Sequence, residues 1–421
     1  MKDAKSWDTN YEWKAVALLT IGFGLVGLDR WIVAPLAPSM IADLHLNPQD
    51  INNLVAALGL AWGVAAIFLG GLSDRIGRRK VLIPAIVLFS LLSGFSGLAA
   101  GMASLLLVRA VMGLSEGAFC PTSFACVAEA SKPRRRGFNQ GLQQSAFALF
   151  GLGFGPIIAT QLLGVMSWRG VFLLVAIPGI ILSVFLWMTI REPVTAQGHS
   201  DSKERAPLSQ VFKHRNVGLG MLGLLCAMCG IFVLSANTPI YLTSYLHLTQ
   251  QQMGFVTSAI GFGGFLGQWG IPWASDYLGR RIMAVLGFTV GALFVWLFIQ
   301  QGPDPVMLFV LLFIGAGFAF GLLSLITGPI AVEAAPLGLI STAAGIIIGA
   351  GEIFGGGVAP FIAGSIASNY GIQDVLYFAL GGLLLGAVVS LFFKETAPRK
   401  VEVPSDLDKL EQRFGKSTEL N

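Results

Sequence analysis

Gly70-Gly71-Leu72-Ser73-Asp74-Arg75-Ile76-Gly77-Arg78-Arg79-Lys80 joins two apolar runs, and its core returns as Ser275-Asp276-Tyr277-Leu278-Gly279-Arg280-Arg281. Both copies read Ser-Asp-x-x-Gly-Arg-Arg, and Ser275 lies 202 residues after Ser73. Two further pairs keep nearly the same spacing: Glu129 with Glu333 and Pro156 with Pro360, each 204 apart. Repeats at one offset, each at the equivalent apolar run, mean that the chain consists of two related halves.

The composition says where those halves sit. Of 421 residues, 54% are hydrophobic and 12% charged, against about 25% charged in soluble domains. Such a surface needs lipid around it, and the 53 glycines fit membrane helices. A spanning helix takes about 20 mainly apolar residues. Twelve segments meet this, roughly 15–40, 51–73, 81–101, 103–128, 137–165, 168–190, 216–246, 251–275, 282–301, 304–332, 338–368 and 371–393. The expected fold is an all-α membrane protein of two pseudo-symmetric six-helix bundles, residues 1–190 and 216–394. A polar linker covers 191–215, and a charged, mobile tail is expected over 395–421.

Basic residues in loops set orientation. With the N-terminus inside, 24 of the 27 Lys and Arg fall on the cytoplasmic side, leaving Arg30, Arg109 and Arg169. Both termini are therefore expected in the cytoplasm, and the basic residues read as topological signals, which leaves no nucleic-acid site. The halves share this topology, so an axis along the membrane normal relates them. Cys120, Cys126, Cys226 and Cys229 lie in apolar runs and read as buried thiols. His45, His199, His214 and His247 have no metal-ligand spacing, and no P-loop is present. Neither an enzyme nor a metal or organic cofactor is expected; the drive is a proton gradient.

A charge at mid-membrane costs at least a few kcal/mol, so it needs a partner or a purpose. Asp29 and Arg30 lie mid-run in the first segment, and Glu116 in the fourth at similar depth. Arg30 reads as a cation for a substrate carboxylate, and Asp29 and Glu116 as proton carriers. The competing reading is a fixed ionic network that packs the first and fourth helices. Arg109 shares a face with Glu116 and either joins this chemistry or braces helices. Glu352 is a lone carboxylate among glycines in the eleventh run, read as a proton site or a partner of a neighbouring helix. Asp74, Arg78 and Arg79 with Glu129, and Asp276, Arg280 and Arg281 with Glu333, read as gate pairs whose breaking frees the inward-open state. Polar and aromatic candidates for the cavity wall are Gln143, Gln144, Asn237, Tyr241, Gln268, Trp31, Trp62, Phe119, Phe147 and Trp269. One glutamine of the pair and Tyr241 lead, and the aromatic content leans toward an aromatic carboxylate.

The loop at Gly70–Lys80 resembles the cytoplasmic loop motif of the major facilitator superfamily, and the resemblance covers the whole chain. Arg109-x-x-x-Gly113 and Gly151-x-Gly153-x-Gly155-Pro156 resemble its fourth- and fifth-helix motifs. Within it, Asp29-Arg30 with Ala34-Pro35-Leu36-Ala37-Pro38, and Glu116-Gly117 after Arg109, resemble the anion:cation symporter group. Trp62 stands where that group usually has Tyr, and Ala66-Ile67-Phe68 where it has Gln-x-Pro. The resemblance implies two bundles rocking around a central site. It also implies symport of a small organic anion, such as an aromatic or sugar acid, with protons, by a monomer in the lipid bilayer of the bacterial inner membrane. The other reading is proton-coupled export of a drug or metabolite, which a fifth-helix glycine-proline motif suggests and Arg30 opposes for cationic drugs. At the second-half positions equivalent to Asp29, Arg30 and Glu116 stand Ile231, Phe232 and Phe320. The first half is thus expected to carry the charge chemistry.

Overall fold

The computed structural model describes residues 8–132, 136–191, 214–334 and 340–397. In the first half, α1 comprises Thr9–Trp31 and Val33–Leu44, α2 is Pro48–Ile76, α3 is Arg78–Ser96 and α4 is Met102–Ala130. Helix α5 comprises Arg136–Ala148, a π-helical stretch Leu149–Phe154, and Gly155–Leu163, and α6 is Trp168–Thr189. In the second half, α7 comprises Arg215–Ile240 and a π-turn Tyr241–Tyr245, α8 is Gln250–Leu278 and α9 is Arg280–Gln300. Helix α10 comprises Pro305–Leu325, a π-turn Ile326–Ile330 and Ala331–Ala334. Helix α11 comprises Ile340–Ala350, a π-helical stretch Gly351–Val358 and Ala359–Asn369, and α12 is Ile372–Ser390. All twelve expected spans are present as helices. Most of the expected linker, residues 192–213, lies outside the described residues.

Among the described residues, eleven of these helices are long and apolar enough to cross a membrane alone. The exception is α8, which carries Gln250, Gln251, Gln252, Gln268 and Asp276. Packing compensates: α8 presses so closely on α10 that a Cβ at Gly267 would lie 1.7 Å from the Gly317 carbonyl oxygen. Helices α2 and α4 repeat this contact in the first half, where a Cβ at Gly113 would lie 2.3 Å from the Leu58 carbonyl oxygen. Gly317 stands 204 residues after Gly113, so the two halves use one packing scheme. Outside the bundles, Phe68, Leu107, Phe185 and Met188 are exposed, an apolar surface that lipid covers. The chain is a multi-pass membrane protein.

The repeat reaches further into the backbone than the loop motifs. His45 and His247, 202 apart, both take left-handed backbone, with φ of 53° and 55°. Each is followed two residues later by a capping box, Asn47 with Asp50 before α2 and Thr249 with Gln252 before α8. These boxes satisfy free N–H groups of the first turn. Pro156 and Pro360 likewise follow the two π-helical stretches of α5 and α11 at the same place. A proline has no N–H to give to the preceding turn, and the ladder re-registers around it.

Helix α1 starts at Thr9, earlier than residue 15, because the Asp8 carboxylate accepts the Tyr11 N–H at 3.0 Å and caps it. The segment after α12 is also more ordered than a tail beginning at 395 implies. Glu395 accepts N–H bonds from Arg280 at 2.8 Å and Arg281 at 3.2 Å, so it caps the start of α9. Asn216 and Lys394 exchange two hydrogen bonds at 2.8 and 2.9 Å. Residues 398–421 lie outside the described residues.

The halves meet through α1 and α2 against α7 and α11, and through α5 against α8. Their tightest contacts lie toward the end opposite the two loop motifs. A Cβ at Gly261 of α8 would lie 1.7 Å from the Gly153 nitrogen of α5, and one at Gly59 of α2 would lie 2.5 Å from the Gly356 carbonyl oxygen of α11. Asn52 and Asn237 exchange hydrogen bonds at 2.8 and 3.0 Å, and Gln49 Nε2 donates to the Phe361 carbonyl at 3.3 Å. That end is closed.

Candidate functional site

A cavity of about 190 Å³ lies between the halves on the motif side of these contacts. Arg30 and Glu352 line it together with Trp62, Gln144 and Gln268. Arg30 reaches Glu352 across the halves in a two-point pair, with Nη1 to Oε1 at 3.4 Å and Nη2 to Oε2 at 2.9 Å. The pair is almost fully buried, with side-chain exposures of 2% and 9%. Of the open alternatives, Arg30 therefore pairs with α11 and leaves Asp29 and Glu116 unbonded to it. The guanidinium carbon lies 4.5 Å from the Trp62 ring centre and 4.6 Å from that of Phe232. Phe232 is the second-half equivalent of Arg30, so pseudo-symmetry brings equivalent positions of α1 and α7 face to face.

Glu116 is fully buried on α4, and neither carboxylate oxygen has a hydrogen-bond partner among the described residues. It lies within electrostatic reach of Asp29, Arg30, Arg109 and Glu352. Asp29 is also buried, with its Oδ1 unbonded. Arg109 Nη1 donates to the main-chain carbonyl of Asp29 at 2.8 Å, and its guanidinium carbon lies 5.5 Å from the Phe172 ring centre. Arg109 braces α4 against α1 rather than pairing with a carboxylate.

The other expected wall residues divide. Gln144 faces the cavity, while its neighbour Gln143 donates to Ser123 Oγ at 2.9 Å inside the first bundle. One residue along a helix turns a side chain by about 100°, so only one of the pair can face inward. Trp62, Phe147 and Gln268 line the cavity. Asn237 serves the closed end through Asn52. Tyr241 is buried against Tyr245 and Phe298, with ring centres 5.2 and 5.9 Å away. Phe119 packs on Phe89, and Trp269 on Phe138. Phe23, Phe124, Phe232, Phe320 and Thr327 also line the cavity, beside aliphatic residues such as Leu224, Met228 and Ile348. The aromatic ones carry no sequence signal beyond apolar periodicity, except that Phe232 and Phe320 occupy the repeat positions of Arg30 and Glu116.

The gate motifs form matching ion pairs. Arg78 binds Glu129 at 2.9 Å and Ser73 Oγ at 2.7 Å. Arg280 binds Glu333 at 2.8 Å, Asp276 at 2.7 Å and Ser275 Oγ at 2.5 Å. Arg79 donates to the Trp187 carbonyl at 2.5 Å, and the Arg281 N–H goes to Glu395. The Asp74 side chain lies outside the described residues. Each pair stays within its own half, and both are formed while the halves are closed at the opposite end.

The sequence profile of the Major Facilitator Superfamily matches residues 19–351 and 221–417. The chain belongs to this family of membrane transporters. It is 24% identical over 407 residues to a D-galactonate transporter of Escherichia coli, covering 86% of this chain and 90% of that one. It is 24% identical over 416 residues to a gallate transporter of Pseudomonas putida, covering 92% and 89%. Among solved structures, a bacterial homologue of the human lysosomal transporter Spinster, in an inward-facing, occupied conformation, superposes with a TM-score of 0.74 at 17% identity, covering 90% of this chain and 96% of that one. The D-galactonate and gallate transporters carry organic acids, a multidrug efflux protein of Bacillus subtilis is 26% identical over 385 residues, covering 89% of this chain and 90% of that one, and the chain is a transporter, not an enzyme.

Proposed function

We propose that the protein imports a small organic carboxylate together with protons, by alternating access around the cavity between its halves. The observation that carries this reading is Arg30, a buried guanidinium at the closed end of the cavity with a geometry that holds a carboxylate at two points. Arg30 anchors the anion, and Trp62 and Phe232 hold the guanidinium in place. Glu116 and Asp29 carry protons: both Glu116 oxygens and the Asp29 Oδ1 are buried without a hydrogen-bond partner among the described residues, which is costly for an anion, and a proton removes that cost. The basic loops support a cytoplasmic motif end, and in that orientation this conformation faces inward.

The walls favour a planar, apolar-bodied acid. Phe23, Phe124, Phe147 and Phe320 line the cavity with Arg30 and Glu352, and Gln144, Gln268 and Thr327 are its hydrogen-bonding side chains. A ring stacks on such walls, whereas every hydroxyl of a sugar acid needs a partner or pays its desolvation. Liposomes holding the protein, with an inward proton gradient, test this. Uphill uptake of labelled benzoate in preference to D-galactonate is expected. Gradient-driven efflux would replace import by export, and absence of flux would reject transport of either acid.

A further inference from the structure

We infer that Glu352 is an internal occupant of the anion site: it holds the place on Arg30 that a transported carboxylate takes, and the two exchange. The inference rests on the reading of Arg30 as the anion anchor. The Nη1–Nη2 edge of a guanidinium accepts one carboxylate in two-point fashion, and Glu352 occupies that edge at 3.4 and 2.9 Å. The rings of Trp62 and Phe232 lie against the same group, which narrows the remaining approach. Both members of the pair line the cavity, so an anion entering from the motif end meets them together. With the pair closed, their charges cancel and the site offers an anion no net attraction. A ligand carboxylate binds only as Glu352 leaves.

Displacement strands Glu352 in a poor place for a charge. The charged and titratable groups facing it are Arg30 from α1, and Glu116 and the Cys120 thiol from α4. The helices packed on its own turn contribute Gly63 and Trp62 from α2, and Leu224, Met228 and Phe232 from α7. The α7 thiols Cys226 and Cys229 line a different, apolar groove. None of these except Arg30 is a cation. Glu352 therefore takes a proton from the water of the cavity as the ligand takes Arg30. Before exchange the site holds one cation and one carboxylate; afterwards it holds one cation, the ligand carboxylate and a neutral acid. The net charge of these groups is unchanged, so the exchange takes up one proton per anion beside those that Glu116 and Asp29 carry. The pair also joins α1 to α11, and its opening removes a link between the halves at the moment of loading.

The test measures binding of benzoate and of D-galactonate to the purified full chain in lipid nanodiscs, by calorimetry. Three proteins are compared: wild type, Arg30→Ala and Glu352→Gln. Arg30→Ala is expected to bind neither acid. Glu352→Gln is expected to bind the preferred acid about tenfold tighter at neutral pH, because the competent state is no longer masked. Its affinity should stay flat as the pH is lowered, while that of the wild type improves. Unchanged or weaker binding by Glu352→Gln, with Arg30→Ala inactive, overturns the inference and leaves the anchor intact. Full binding by Arg30→Ala overturns the anchor itself. Binding by Glu352→Gln alone would support the inference; binding of neither acid by wild type or Glu352→Gln would count against it. Should Glu352→Gln fail to fold, Glu352→Asp keeps the charge but shortens its reach, and tighter binding than wild type is again expected, with weaker binding overturning the proposal.

Discussion

Arg109 reaches the main-chain carbonyl of Asp29 at 2.8 Å, so a buried cation on α4 holds the backbone of α1 at the turn that presents Arg30. Its neighbour on α4, Glu116, has no such bond. The two charges share a helix and have opposite tasks, one fixed and one free.

Arg109→Ala leaves a buried carbonyl without its donor, which costs about 1–3 kcal/mol. Thermal unfolding in detergent should show the loss, and benzoate affinity of the folded fraction should remain close to wild type. A large loss of affinity at unchanged stability would instead place Arg109 in the binding site.

Glu116→Gln keeps the shape of the side chain and removes its proton chemistry. Exchange of labelled acid for unlabelled acid across the liposome membrane should persist, while accumulation against a gradient is lost. Normal accumulation would remove Glu116 from the proton path.

Trp62→Leu removes a ring 4.5 Å from the Arg30 guanidinium. Such contacts are worth about 0.5–2 kcal/mol, so acid binding should weaken about two- to thirtyfold. Titration of the variant with benzoate reads this directly.

Gly261→Ala puts a methyl group where the Gly153 backbone stands, 1.7 Å away. The halves must part at the closed end. Spin labels on α5 and α8 at that end should report longer separations than in the unsubstituted protein, and transport should slow.

Glu395 links pH to the motif end of the second half. Partial burial pushes its carboxyl up, but the N–H groups of Ala397, Arg280, Arg281 and Thr396 outweigh this and hold it below the ordinary 4.5. A carboxyl lowered on folding stabilises above its unfolded value and loses that contribution as the pH falls through the folded one. Glu395→Gln should therefore lower the melting temperature at neutral pH, and the difference should shrink below about pH 4.

The loop repeat, the twelve spans and the mid-membrane charges are legible in the sequence because each is local or periodic. The partner of Arg30 is not. Glu352 is 322 residues away, and the pairing depends on how α1 and α11 are rotated against each other. The π-helical stretch Gly351–Val358 holds Glu352 itself, so a 3.6-residue period counted from either side misplaces its face. The same limit explains Gln143 and Gln144, where a few tens of degrees decide which one sees the cavity. Leu-His-Leu surrounds both His45 and His247, but nothing in a histidine announces left-handed backbone.

The paired π-helical stretches of α5 and α11 have a mechanical meaning. An extra residue in one turn advances the winding by about 100°, so the helix beyond presents a new side without a change of axis. In α5 the portion before the stretch carries Gln144 to the cavity, and the stretch itself carries Gly153 to α8. In α11 Glu352 faces the cavity and Gly357 faces Leu60 of α2. Each of these helices is thus geared: one part of its length addresses the cargo and the next grips the opposite half, and a twist at one is delivered to the other through a single rigid shaft.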